Sequence, residues 1–526
     1  MQEMVSCGEN ASGAVKNTYL FEKCPIPKAV LRLALPTIIS QIILVVYNMA
    51  DTFFIGLSGS DAKLTAATIC MPAFMILSAI ANLFGIGGAS VISRALGKNK
   101  LEKARGAASF AFWGCLSVVI CYACLLYFLR DPILNALGGR DPLVHAYAST
   151  YLLWAVVIGG TVTSLNSLFG HLIRSEGRAL HAGVGIVLGG VLNMAFDPLF
   201  MFVILPRGQE VLGAAIATFL SNLIATVYFL VVLWRHRKQS VLRLAPSRAM
   251  FGKSIVAGVL LTGLPACLMT LFENISYAVL DNLMSGYGIN YQAGVGVAKK
   301  INMLAHSIVR GMSQGVLPLI AYNYAKKNLK RMNHTLYLSA LSSITIATVC
   351  MAVSMVFSNG LVSLFIKSGS DAVVFGGRFL KILALGAPFS AWAYAVISYF
   401  QATKRSMRSF VLAIMRKGVL DIPLMFFLNH RIPVYGIVWA TPVADIACAV
   451  AALVLFLVFR TAMRRKYGTT PSLDAPLADG ATPSEIPLPV DGSELSGDNP
   501  VPFDTGLSTD CNQAPISSPR GLSTSL

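Results

Sequence analysis

Charge is scarce in this sequence. Only 13% of its 526 residues are Asp, Glu, Lys or Arg, about half the share of an ordinary soluble domain. Acidic residues are the rarer kind, 24 against 42 Lys and Arg. Cysteine supplies neither a disulfide framework nor zinc-ligand spacing. Ten are scattered, most of them in apolar runs. The close pair Cys121-x-x-Cys124 sits in CYACLLYFL, where two small residues one turn apart pack helices rather than do redox chemistry. The first 28 residues hold no apolar run, so no cleaved signal peptide is expected and the first hydrophobic helix serves as the membrane address.

Catalytic and nucleotide-binding patterns are missing as well. There is no HExxH and no GxSxG. Gly252-Lys253-Ser254 ends like a phosphate-binding loop, but Ser247 stands where its leading glycine belongs and no strand precedes it. Neither enzymatic activity nor ATP hydrolysis is expected, so any pumping must draw on an ion gradient. Gly85-x-Gly87-Gly88 and Gly183-x-Gly185 lie in apolar runs and read as helix-packing points. His171 and His181 flank a short loop and are expected to be solvated.

What is abundant is apolar sequence. Hydrophobic residues make up 55% of the chain and the mean hydropathy is +0.66. A spanning helix needs about 20 apolar residues. Such runs occur at 30–56, 64–92, 107–129, 144–170, 182–205, 212–234, 254–284, 291–320, 336–357, 374–401, 409–428 and 435–459. The chain therefore reads as an all-α integral membrane protein with twelve transmembrane helices.

The basic residues explain the net charge of +18. The N-terminal segment through Arg32, the loops after the even-numbered spans and the stretch after span 12 together carry 28 Lys and Arg, against six in the odd-numbered loops. The richer side is cytoplasmic by the positive-inside rule. Both termini are then expected inside, in the plasma (inner) membrane. No nucleic-acid partner is expected. Residues 467–526 hold nine prolines, eight acidic residues and one arginine, a composition that cannot offset its ordering entropy and predicts a disordered tail.

The two halves resemble each other. Span 1 reads LRLALPTIISQIILVVYNMADTFFIG and span 7 LLTGLPACLMTLFENISYAVLDNLMSG, with the Leu-Pro, the Tyr and the Asp recurring in order. GIGGASVISRALGKNKLEKAR parallels GMSQGVLPLIAYNYAKKNLKR, and LGAAIATFLSNLIATV parallels YGIVWATPVADIACAV. Six spans per half return the chain to the same side, so the halves share one orientation. That predicts two six-helix lobes related by a parallel pseudo-twofold axis, with a cleft between them. The expected segments are an N-terminal stretch (1–28), an N-lobe (29–234), a basic linker (235–253), a C-lobe (254–459) and the tail (460–526).

A carboxylate at membrane depth is costly and marks function by default. Asp51 falls in span 1, Asp197 in span 5 with Asn193 one turn earlier, Glu273 and Asp281 in span 7, Asp421 in span 11 and Asp445 in span 12. In the repeat, Asp281 answers to Asp51 and Asp421 to Asp197. Two close carboxylates in a low dielectric do not both ionise easily. The pair suits a proton carrier and, when ionised, a sodium ion, with Asn193 and Thr218 as neutral oxygen ligands. Lys299, Lys300, His306 and Arg310 in span 8, and Arg416 and Lys417 in span 11, are expected to pair with carboxylates or snorkel. Pro36 removes a backbone donor and is placed to kink span 1.

Over about 30–460 these features resemble the multidrug and toxic compound extrusion (MATE) transporters, above all in LPTIISQIILVVYNMADTFFIG, GIGGASVISRALGKNKLEKA, IRSEGRALHAGVGIVLGGVLNMAFDP and GMSQGVLPLIAYNYAKK. The likeness is strongest to the bacterial DNA-damage-inducible and Gram-positive multidrug branch. It implies a secondary antiporter that expels drugs or toxins, mainly organic cations, in exchange for protons or sodium, needs no cofactor, and works as a monomer in the bilayer. It implies coupling residues at Asp51, Asn193, Asp197 and Thr218, with Tyr47 and the kinking Pro36 as neighbours, and cation binding that bends span 1. The sodium-coupled branch also places a glutamate where Glu273 stands, but its partner aspartate is replaced near Ser390. Asp281 and Asp421 are further C-lobe cleft candidates. A lipid-linked precursor flippase, favouring a basic cleft, and a receptor or channel without coupled transport are the alternative readings.

Overall fold

The computed structural model describes residues 19–467 apart from 59, 138 and 367–370. The tail expected beyond Tyr467 and the first 18 residues lie outside the described residues. Apolar side chains alone would not force helices on this chain. In a bilayer every backbone donor and acceptor must also be met within its own segment, and helices satisfy both demands.

The N-lobe comprises α1 (Ile26–Leu57), α2 (Asp61–Gly97), α3 (Leu101–Phe128), the short α4 (Arg130–Ala136), α5 (Pro142–Tyr151), α6 (Gly160–Ser175), α7 (Ala179–Pro198) and α8 (Glu210–Arg235). A π-helical turn, Leu152–Ile158, joins α5 to α6, and a second, Leu199–Ile204, prolongs α7. The C-lobe repeats the plan with α9 (Lys253–Ser285), α10 (Ile289–Ala325), α11 (Leu329–Ser363), α12 (Asp371–Ala384), α13 (Ala387–Ala402), α14 (Ser406–Ile414), α15 (Ile422–Arg431) and α16 (Tyr435–Tyr467). Here the π-helical turn, Met415–Asp421, joins α14 to α15.

Eight of these helices are long and apolar enough to cross a bilayer unaided. Two pairs bent by 44° and 43°, α5–α6 and α12–α13, raise the number to ten. The remaining crossings, α10 and α14–α15, hold the charged residues that depress their hydropathy. The total of twelve, six per lobe, agrees with the sequence reading. Backbone geometry repeats too. The turn after the second helix of each lobe carries a left-handed residue, Asn99 (φ 53°) and Lys327 (φ 61°). The turn after the fourth crossing does the same with Gly177 (φ 84°) and Lys404 (φ 62°).

The lobes meet along α2 with α9 and α1 with α10. The contact is close because glycines stand at the crossings. A Cβ on Gly311 would meet the Ile38 backbone, one on Gly315 the Ala34 backbone, and one on Gly263 would fall 1.7 Å from the Leu83 carbonyl oxygen. The crossings lie towards the end of the bundle that carries residues 26, 97, 253 and 325, here called the basic end. The described hydrogen bonds between lobes lie between mid-bundle and that end. Arg94 donates to the carbonyls of Gln401 and Ala402 at 3.0 and 3.2 Å, and Asn82 donates to Thr270 at 2.9 Å.

Chain segments outside the bundle close the same end. Arg331 donates to the carbonyls of Phe21, Leu20 and Cys24, Phe21 stacks on Tyr322 at 5.0 Å, and Tyr322 donates to Glu22 at 2.7 Å. The linker is held beneath the N-lobe by Trp113, which donates to the Leu244 carbonyl at 2.8 Å. Glu176 receives the Ser240 hydroxyl and the Val241 N–H there.

One expectation fails at this end. His171 is not solvated. It is buried, its Nε2 3.2 Å from Asn82 Oδ1 and its Nδ1 3.4 Å from a guanidinium nitrogen of Arg174, itself only 2% exposed. His181 is half-buried, 3.2 Å from the Tyr228 hydroxyl. The helix α6 runs on to Ser175, so the apolar run ending near 170 understated it. Polar residues continue the helix because neighbouring side chains satisfy them.

Candidate coupling site

The N-lobe site is assembled by three helices, α1, α7 and α8. In α7 three positions spaced by seven, Gly183, Gly190 and Asp197, share one face. A Cβ on Gly183 would strike Pro36, and one on Gly190 would strike Ile43. Pro36 and Ile43 are themselves seven apart. The two helices therefore run in register, and the next contact in the series brings Asp51 towards Asp197. The glycines set the approach and the carboxylates stand where it ends.

Both carboxylates are removed from water. Asp197 is fully buried and Asp51 is 9% exposed. Asn193 donates to Asp197 Oδ1 and to Thr218 Oγ1, each at 3.3 Å. Three oxygens have no hydrogen-bond partner, Oδ1 of Asp51, Oδ2 of Asp197 and Oδ1 of Asn193. Asp51 and Asp197 lie within electrostatic reach of each other, and no Lys or Arg forms an ion pair with either among the described residues. The site is a group of buried oxygens with no basic partner among the described residues. A buried unpaired polar atom costs about 1–3 kcal/mol, and a proton or a hard cation bound by oxygen ligands removes that cost.

Tyr47 sits within reach of both carboxylates, as does buried Tyr151, which sequence reading missed. Tyr151 ends α5 at the π-helical turn. Nothing in its local sequence, AYASTYLLWA, distinguishes it from an aromatic packing residue. Pro36 is embedded in α1, which runs as one continuous helix from Ile26 to Leu57.

The C-lobe candidates sit in a different electrostatic setting. Arg310 donates to Glu273 at 2.6 Å. Arg416 donates to Asp445 at 2.8 Å and lies 4.6 Å from the Tyr394 ring centre. Lys417 donates to Asp421 at 2.7 Å, and Lys299 is bonded to Asp281. Each of the four carboxylates thus holds a base. Ser390, near the place of the missing aspartate, contacts His306 Nε2 at 3.1 Å, and that nitrogen is 4.0 Å from Asp445. Sequence order alone did not reveal these pairs, because three of them join different crossings.

The MatE family profile matches residues 36–199 and 265–427, one stretch in each lobe. The chain belongs to the MatE family. A multidrug export protein MepA of Staphylococcus saprophyticus is 28% identical over 444 residues, covering 84% of this chain and 96% of that protein. Among solved structures, a multidrug resistance MATE family transporter of the MOP superfamily in an outward-facing conformation superposes with a TM-score of 0.79 at 22% identity, over 87% of this chain and all of that one. A MOP superfamily transporter from Pyrococcus furiosus, described as having a binding pocket of reverse polarity that suggests a different function, superposes with a TM-score of 0.74 at 22% identity, over 87% and 99% of the two chains. As a MatE protein the chain is a multi-pass membrane transporter, and its fold is the two-lobe bundle of those structures.

Proposed function

We propose that this MatE protein is a secondary active multidrug efflux transporter that exchanges organic, mainly cationic, compounds for protons or sodium ions. Asp51, Asn193, Asp197 and Thr218 take the coupling cation. The observation that carries this reading is the uncompensated carboxylate pair of the N-lobe, set against a C-lobe whose carboxylates each hold a base. The named staphylococcal relative supports multidrug export.

The geometry suits exchange. Closure at the basic end leaves the opposite end as the direction of access, so the cation enters from outside. Its arrival offsets one negative charge of the Asp51–Asp197 pair, gives their unpaired oxygens a partner and permits α1 to bend at Pro36, where one backbone hydrogen bond is already missing. Coupling requires cation and drug to favour different conformations. The basic segments lie inside, both termini are cytoplasmic, and the protein resides in the plasma membrane. A flippase for anionic head groups draws less support, because Lys299, Arg310, Arg416 and Lys417 are engaged by carboxylates of their own lobe.

The test is reconstitution in liposomes with a fluorescent organic cation under an imposed pH or sodium gradient. Wild type should move it uphill in one of the two gradients, and Asp51→Asn should abolish that movement while remaining folded. Uphill movement by Asp51→Asn at the full rate would refute the assignment.

A further inference from the structure

The repeat that builds the two lobes also duplicates the coupling constellation, and the copy is not empty. Asp421 answers to Asp197, Thr441 to Thr218, Tyr277 to Tyr47 and Asp281 to Asp51. The placement matches the alignment, although Thr218 reaches Asp197 only through Asn193. Thr441 donates to Asp421 Oδ1 at 3.0 Å, from a sixth crossing packed on a fifth, as Thr218 is placed in the N-lobe. Ser276 stands where the N-lobe has Val46, and two further positions differ by a positive charge. Four residues before the aspartate the N-lobe has Asn193 and the C-lobe Lys417. In the second helix of each lobe, the register of GIGGASVISRAL with GMSQGVLPLIAY puts Ala73 opposite Lys299.

Both differences introduce an ammonium group, and each lands on a carboxylate of the copy. Lys417 Nζ lies 2.7 Å from Asp421 Oδ2, in a pair whose side chains are 2% and 0% exposed. Ser276 donates to the same oxygen at 2.6 Å. Lys299 holds Asp281. Both ammonium groups lie over the Tyr277 ring, at 5.4 and 5.3 Å. In the N-lobe the equivalent oxygens are unpartnered. Asp421 by contrast receives two hydroxyls and one ammonium, and neither of its oxygens is left without a partner.

We propose that the C-lobe constellation is a second cation site, of the same class as the N-lobe coupling site, that is permanently filled by the tethered ammonium of Lys417. The lysine replaces the exchangeable cation, so this lobe stays neutral through the cycle and one lobe alone does the coupling. The proposal rests on the reading of Asp51, Asn193, Asp197 and Thr218 as a cation site, and it makes a statement that reading does not. Removing the tethered ammonium should create a cation site where the wild type has none.

Lys417→Asn restores the N-lobe residue at the equivalent position. Of the other carboxylates around the vacated space, Glu273 keeps Arg310, Asp445 keeps Arg416 and Asp281 keeps Lys299, so Asp421 is the carboxylate set free. Purified full-length protein would be titrated with sodium chloride against choline chloride by calorimetry, with proton uptake followed in weakly buffered solution. Asp51→Asn serves as the background, since it removes the N-lobe site. Adding Lys417→Asn to it should bring back about one bound sodium or proton per chain, and adding Asp421→Asn as well should remove it again. A folded Asp51→Asn/Lys417→Asn protein that binds neither cation overturns the proposal. A wild type whose cation binding Asp51→Asn leaves unchanged overturns the coupling-site reading, and the two failures are read from different proteins. If Lys417→Asn unfolds readily, its unfolding temperature should rise with sodium or acid and should not do so once Asp421→Asn is added. No such rise would count against the proposal just as firmly.

Discussion

Gly263 offers the sharpest test of how the lobes close. A Cβ there would stand 1.7 Å from the Leu83 carbonyl oxygen, 2.6 Å from its carbonyl carbon and 3.0 Å from its Cα. All three are backbone atoms and no rotamer change relieves the clash. An ordinary carbon–oxygen contact needs a little over 3 Å, so Gly263→Ala must part α2 from α9 by roughly 1.5 Å. Overpacking of this kind costs about 1–3 kcal/mol, charged here against the one conformation that brings the helices together. The equilibrium should move away from the state closed at the basic end by about 5- to 150-fold. Spin labels at Leu57 and Ile289, which are 58% and 83% exposed at the far ends of α1 and α10, would report the shift as a redistribution of inter-lobe distances. Drug export should fall with it. Gly296→Ala is the control, since nothing lies within 4 Å of a Cβ at that position on α10. An unchanged distance distribution and full transport in Gly263→Ala would refute the reasoning.

Other expectations follow from the same contacts. Asn193→Lys gives the N-lobe the residue that fills the C-lobe copy; it should abolish gradient-driven export while leaving equilibrium drug binding measurable, and export at the wild-type rate would contradict the site. Arg416→Ala leaves Asp445 charged, 1% exposed and without its guanidinium, so the protein should lose about 3–5 kcal/mol of stability, seen as a lower unfolding temperature in detergent. The N-terminal clamp should depend on pH. Burial alone would raise the Glu22 carboxyl, but the Tyr322 hydroxyl and the Lys326 ammonium outweigh it and hold it below the ordinary glutamate value of 4.5. A carboxyl lowered in the folded state stabilises above that value and stops doing so as pH falls through the lowered one. Hydrogen exchange over residues 19–24, corrected for intrinsic rates, should show protection at neutral pH that is lost in acid, and protection unchanged down to pH 3 would refute the clamp.

Much of the architecture was legible because a bilayer leaves few choices. Apolar run length, the alternation of basic loops and the Leu-Pro, Tyr and Asp recurring at matching places gave twelve helices in two like-oriented lobes. The coupling candidates were legible for a related reason. A carboxylate in an apolar run is rare enough to be noticed, and Asn193, Asp197 and Thr218 lie close along two consecutive helices. The reading of His171 as solvated failed because polarity in a sequence does not say whether a neighbour will satisfy it. Asn82 and Arg174 do so from elsewhere in the fold.

The sequence by itself determined the number of crossings, the repeat and the identity of the intramembrane charges, since each follows from local composition and order. Only the tertiary structure decided which charges neutralise one another. Asp51 and Asp421 look alike in one dimension, a lone carboxylate in a hydrophobic run with a tyrosine or a lysine one turn away. In three dimensions one has no basic partner among the described residues and the other is bonded to Lys417. Pairing depends on distances of 3 or 4 Å between helices far apart in the chain, set by where glycines let backbones approach. Hydropathy does not encode those distances.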